Sequence, residues 1–340
     1  MENKTKFQVI ELSTKETPSS TEFVKRGTDY ISFGADNKYP NFLYENYLNC
    51  PSLQTIINGT ADYVCGDGVS TEFINSVGES LDDIIRKMAL SLQIYGGIFI
   101  KIKRDALLKI KDITILDYKN CRVNEDLTKI YYSKEWGKWG TKAITYKAYT
   151  EKLNESVLFY RGLMFSDNTY PLPRYYSAVK SCLTETEIQN FHYNSIINFF
   201  SVGKIISFNN GDPGVEERRM IEEGLIDKFT GTDTANKLMV TYNTDKEHAV
   251  TVETLDGDDF DERYNALWKS TKNTIYGIMQ AQPVLFGNML ENIGFNQQEF
   301  ESAFNLYNNT VVLPLQNKIS KILTEILKED IVIEPFTMKN

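Results

Sequence analysis

Apolar residues change their spacing along this chain, and the changes mark out its elements. After Pro51, Leu53, Ile56, Ile57, Ala61 and Val64 recur at intervals of three and four, which predicts an amphipathic helix ended by Gly66 to Gly68. Ahead of it, a turn is expected around Asn37 to Pro40. A second helix is predicted in SLDDIIRKMALSLQIYGG. Ser80 can cap it, Asp82 and Asp83 suit its positive end, Leu81, Ile84, Ile85, Met88 and Leu92 form the buried stripe, and Gly96 and Gly97 end it. The period then falls to two. IFIKIKRD, LLKIKDITILD, CRVNE, TKIYYSKEW, KAITYKAYT and SVLFYRGLMF read as antiparallel strands, half-buried where apolar residues alternate with Lys or Thr.

Pro171 and Pro173 open a long helix predicted from Arg174 to Phe200, which approaches roughly 40 Å at 1.5 Å per residue. A short excursion follows Gly203: the strand KIISF, the turn NNGDPG, the helix VEERRMIEEGLIDKF, the turn TGTDTANK and the strand LMVTY. The chain returns through the acidic TVETLDGDDFDER into another helix, DFDERYNALWKSTKNTIYGIMQAQ. QPVLFGNMLENIGFNQQEF is a loop bearing Pro and Gly. In the last helix, about Asn296 to Lys328, Phe300, Phe304, Tyr307, Val311, Leu315, Ile319, Ile322 and Ile326 keep helical spacing, and Pro314 is expected to kink it. Residues 1 to about 30 lack such periodicity and read as an arm ordered only by its neighbours.

A chain of 340 residues with 41% hydrophobic, 24% charged and 12% aromatic side chains is a folding composition, which excludes collagen-like, coiled-coil-only and disordered classes. Its length exceeds what one core usually fills, so discontinuous lobes are expected. No apolar run approaches the roughly 18 residues of a membrane span, and the polar start MENKTKFQVI carries no apolar leader, so a cytosolic origin is expected. The net charge of -9 is uneven. Tyr95 to Thr150 holds 12 Lys or Arg against 6 Asp or Glu, a local +6 that leaves -15 elsewhere. That excess is expected on the solvent face of a sheet, where it could meet an acidic partner. A sequence-specific DNA binder would be basic overall, whereas this chain has a pI near 5.0.

Candidate chemistry is sparse. Cys50, Cys65, Cys121 and Cys182 are scattered, with no C-x-x-C, and read as buried thiols. His192 sits in a helical stretch and His248 beside a turn, so neither points to catalysis. The GDG at 66–68 lacks the rest of a phosphate loop, and the acids from Glu253 to Glu262 lack calcium-loop spacing; several suit the first turn of the helix that follows. With no nucleophile elbow, dinucleotide or kinase signature, no metal site and no cofactor are called for, and an enzyme is not supported.

YGGIFIKIKRD, RYYSAVKSCLTETEIQNFHYNSIINFFSVGKIISFNNG, QPVLFG and NNTVVLPLQNKISKIL, in this order over roughly residues 30 to 328, resemble the portal proteins of tailed bacteriophages, in particular the HK97-like group. The resemblance implies an α+β portal-type subunit. It has an N-terminal arm at 1–30, a wing of helices and antiparallel sheet at 31–173, and a first stem helix at 174–200. A strand-helix-strand clip follows at 201–247, then an acidic linker and second stem helix at 248–282, a tunnel loop at 283–295, and a kinked wing helix with a short tail at 296–340. The crown that many portals carry at the C-terminus is expected to be reduced or absent.

By the same resemblance, Asn288, Met289, Glu291, Asn292, Asn296 and Gln297 line the channel, while Asp212, Glu216, Glu217, Arg218, Arg219, Glu222 and Glu223 of the clip dock the packaging motor and then the neck. The expected function is a homo-oligomeric ring, a dodecamer, at one capsid vertex of the virion, through which the genome is packaged and ejected. Its partners would be large terminase, a head-tail adaptor, major capsid or scaffold protein, and double-stranded DNA without sequence specificity, with no membrane. ATP hydrolysis would belong to the terminase. The alternatives are another structural virion protein, such as an adaptor or capsid component, and an α+β enzyme. Physics adds one argument: an acidic conduit repels phosphates and lets DNA pass where a basic one would hold it. The clip, with 9 acids against 6 bases, asks for a basic docking face.

Overall fold

The computed structural model describes residues 17–25, 27–136, 138, 140, 142–162, 167–197, 205–208, 214, 216, 219–220, 239–242, 260–287 and 297–336. They divide into two compact units: one from residues 1–177 and 276–340, the other from 178–275.

The first unit opens with a hairpin of β1 (Glu22–Val24) and β2 (Ile31–Phe33). Part of the expected loose arm is therefore strand. The Glu22 carboxylate pins it by accepting from the backbone N–H groups of Thr169 (2.6 Å) and Tyr170 (2.8 Å). Where only a turn was expected, α1 (Tyr39–Asn49) forms, with Pro40 in its first turn and Asn37 at φ 60° just ahead. α2 (Pro51–Cys65) and α3 (Leu81–Tyr95) match their predicted spans; α2 buries its whole predicted stripe and α3 all of its own except Leu92, which is half-buried. Ser80 and Asp83 form a reciprocal capping box, and Gly96 ends α3 in the left-handed region at φ 81°. Between these helices lies the short strand β3 (Gly68–Val69).

The predicted strands form two three-stranded antiparallel sheets. One has the order β5-β4-β9, from β4 (Gly97–Arg104), β5 (Ile110–Leu116) and β9 (Glu155–Arg161). The other has the order β6-β7-β8, from β6 (Cys121–Val123), β7 (Lys129–Tyr132) and β8 (Ile144–Lys147). β4 is central and buried on both faces at Ile98, Phe99, Ile100 and Ile102 rather than half-buried, and Phe99 stacks on Phe159 at 4.2 Å.

The local basic excess does not lie wholly on a solvent face. Arg104 is buried, and Arg122 is the largest fully buried side chain among the described residues. Its guanidinium donates to Asn37 Oδ1 (2.6 Å), Asn37 O (2.5 Å), Lys119 O (3.1 Å) and Cys121 O (2.6 Å), and lies over Trp136. Carbonyl oxygens and one amide solvate this cation in place of water.

The long helix expected from Arg174 begins later. A 3₁₀ turn at Tyr176–Ala178 precedes α4 (Val179–Ile197), and residues 198–200 lie outside the described ones. Tyr175 is tied down instead, its hydroxyl within hydrogen-bonding reach of the carbonyls of Ile94 (3.0 Å) and Leu43 (3.3 Å).

The second unit contains α4, two strands paired in parallel, β10 (Ile205–Phe208) and β11 (Met239–Tyr242), and most of α5 (Phe260–Met279). These are the two strands of the expected strand, helix, strand excursion, and most residues between them lie outside the described ones. Tyr264 joins the helices, donating to Ile188 O at 2.9 Å with its ring edge-on to His192.

Back in the first unit, the final helical run has three parts: α6 (Gln297–Tyr307), a π turn (Asn308–Val312) and α7 (Leu313–Leu327). Pro314 thus begins α7 rather than interrupting a uniform helix. The ring of a proline would clash with the carbonyl four residues back, and the wider π turn, in which Leu313 N–H reaches Asn308 O, occupies that stretch. The chain then folds back, and β12 (Ile333–Glu334) pairs with β3. Among the described residues no helix is long and apolar enough to cross a membrane.

Candidate functional site

The segment expected to form a tunnel loop is held at both ends by one aromatic cluster. α5 leads through Gln280, at φ 53°, into a 3₁₀ turn over Pro283–Phe286 that ends at Gly287, at φ 69°. Phe286 and Leu285 of this turn are buried. α6 resumes at Gln297 and buries Phe304 and Tyr307 on the same helix, α2. Tyr63 of α2 is the hub. Its ring meets Phe286 (6.1 Å), Phe304 (5.9 Å), Tyr307 (6.3 Å) and Phe336 (5.7 Å) edge-on, and its hydroxyl donates to Leu285 O at 3.2 Å. Edge-to-face contacts direct ring edges at ring faces, so the cluster has orientation as well as apolar area.

Two further contacts set its spacing. Gly59 lies where a Cβ would approach Phe286 Cε1 to 2.8 Å, so the missing side chain makes room for that ring. The next residue, Thr60, donates to Ile56 O (2.5 Å), leaving its oxygen to accept from the Tyr307 hydroxyl at 2.6 Å. Burial pushes the Tyr307 phenol up to about 12. Gln316 of α7 adds a third tie, donating to Val64 O at 2.9 Å. Gly287 and Gln297, the described residues on either side of 288–296, therefore both follow or begin elements packed on this one cluster.

Of the residues expected to line the channel, Asn288, Met289, Glu291, Asn292 and Asn296 lie outside the described residues. Gln297 is described: it starts α6, is exposed, and donates to Glu301 one turn ahead at 2.9 Å. Of the clip residues, Glu216 and Arg219 are helical and exposed, while Asp212, Glu217, Arg218, Glu222 and Glu223 lie outside the described residues. His248 lies outside them too. Cys50, Cys121 and Cys182 are buried and Cys65 is half-buried, and all four are free thiols. Burial raises the Cys65 thiol to about 11, which keeps it protonated and inert at neutral pH.

Sequence reasoning missed the clamp. Its signal was present as Gly59, Thr60 and Tyr63 on one helix and Phe300, Phe304 and Tyr307 on another, but spacing within a helix does not say which helices meet.

The sequence matches no protein-family profile and no curated protein. The fold matches solved structures. A chain in the virion of a native gene transfer agent (GTA) particle is 12% identical, with 87% of this chain and 83% of that one covered and a TM-score of 0.58. A chain in the neck of the native GTA particle, computed with C12 symmetry, is 11% identical over 87% and 84%, at 0.52. An HK97 family phage portal protein from Corynebacterium diphtheriae is 12% identical over 83% and 88%, at 0.47. The chain shares the fold of the virion and neck chains over most of its length.

Proposed function

We propose that this protein is a portal subunit of a phage-like virion, a homo-oligomeric ring at one capsid vertex through which DNA is packaged and ejected. One observation carries the reading: the likeness to chains of GTA virion and neck particles runs through both units, covering 87% of this chain and 83% of the first match. Sequence motifs in the portal order support it further. The C12 symmetry of one matched neck favours twelve copies.

In this reading residues 31–173 with 296–340 are the wing, 174–200 and 248–282 the stem, 201–247 the clip that docks large terminase and then a head-tail adaptor, and 283–295 the tunnel loop. Major capsid or scaffold protein meets the wing. The subunit contributes no catalysis, and its work is geometric. A ring of identical heterologous contacts closes around a channel, and an acidic chain lets phosphates pass.

Light scattering and negative-stain microscopy of the purified chain test the proposal. The expected result is a ring with a central hole and a mass near twelve times 39.1 kDa. A discrete monomer that stays monomeric with scaffold and capsid protein present would overturn it.

A further inference from the structure

A small pocket in the first unit carries charge of one sign only. It encloses about 220 Å3 between the end of α3, the end of β9, the π turn and α7. Its lining includes Arg174, Lys318, Gln93, Thr310, Gly96 and Gly162; Arg174 and Lys318 are its only charged members, and both are cations. Among the described residues neither cation has a hydrogen-bond or ion-pair partner. The neutral groups are already committed, since Gln93 Nε2 donates to Ile57 O (3.2 Å) and the Thr310 hydroxyl to Leu306 O (2.7 Å).

Arg174 is placed firmly. Pro173 fixes the backbone before it, and the buried Tyr175 anchors the backbone after it. Arg174 and Lys318 both remain exposed, and partial desolvation lowers the Arg174 guanidinium below the ordinary arginine value. These two exposed cations, with no acid in the pocket they line, leave it positive in a protein of net charge -9.

We propose that Arg174 and Lys318 form an oxyanion site for a phosphate group. A guanidinium can grip two phosphate oxygens at once, while the lysine adds a mobile point charge. The same phosphate chemistry could come from a free phosphate or from the phosphodiester backbone of duplex DNA. Assignment to DNA rests on the portal reading. The site itself does not.

The test is calorimetric titration of the full chain with inorganic phosphate at low ionic strength, with chloride as the ionic control. The wild type should bind one phosphate per chain. The double variant Arg174→Gln/Lys318→Gln should bind at least about tenfold more weakly. Lys103→Gln/Lys111→Gln, which removes two exposed lysines from the sheet, should change binding less than twofold. The single variants Arg174→Gln and Lys318→Gln keep the test open if the double variant unfolds, and thermal melting identifies that case.

Competition by a short duplex assigns the site to phosphodiesters, and saturable phosphate binding without such competition assigns it to free phosphate. No saturable binding by the wild type, or equal binding by the pocket variants, overturns the proposal. Light scattering on the same samples separates the two readings. A ring that binds no phosphate loses the site and keeps the portal, whereas a phosphate-binding chain that stays monomeric with scaffold and capsid protein present keeps the site and loses the portal.

Discussion

Gly59 is where one absent side chain makes room for a neighbouring ring. Alanine there should gain about 1 kcal/mol of helix propensity. Its Cβ would stand 2.8 Å from Phe286 Cε1, so the ring must leave the Tyr63 cluster. We expect the clash to prevail, with Gly59→Ala destabilising by about 1–3 kcal/mol in denaturant unfolding and speeding protease cleavage within 288–296. A more stable variant with unchanged cleavage would mean that Phe286 does not anchor the loop. Arg122 teaches the opposite lesson. Its charge counted toward a surface patch when read along the chain, yet the fold encloses it because Asn37, Lys119 and Cys121 offer it four acceptors. A linear charge tally cannot see acceptors brought from 85 residues away.

Among elements, those with local causes were legible. The span of α3 follows from Ser80, Asp83 and Gly96, and the structure realises all three. The strands of the two sheets also follow their period. The start of α4 and the form of the last helix were less legible. Pro173 and Pro314 announced a disturbance but not its shape, and the structure answers with a 3₁₀ turn and a π turn. Gln297 opens α6, where an added cation would meet the positive helix end at a cost of about 0.3–1 kcal/mol, so it is a poor probe of the channel. The test falls to Asn288→Lys with Asn292→Lys. Added positive charge should slow DNA passage in a packaging assay while ring assembly stays intact. Unchanged packaging velocity would take these residues out of the channel.

For the whole molecule, the chain leaves its first unit after residue 177 and returns at 276, so the 201–247 excursion is an insertion into the other unit's sequence. Replacing 201–247 by a short linker should leave the first unit folded, with its thermal transition retained, and abolish binding to large terminase. Terminase binding that survives the deletion would remove the clip from docking. The spans of α2 and α3 and the strands of the two sheets were available from sequence alone, because periodicity and caps are properties of neighbours along the chain. Tertiary structure alone decided that Tyr63 gathers four rings, that Arg122 goes inside, and that Arg174 and Lys318, 144 positions apart, share a pocket with no acid in it. Such contacts arise when helices and strands bury their apolar faces together, and their partners are chosen by shape and burial rather than by distance in sequence.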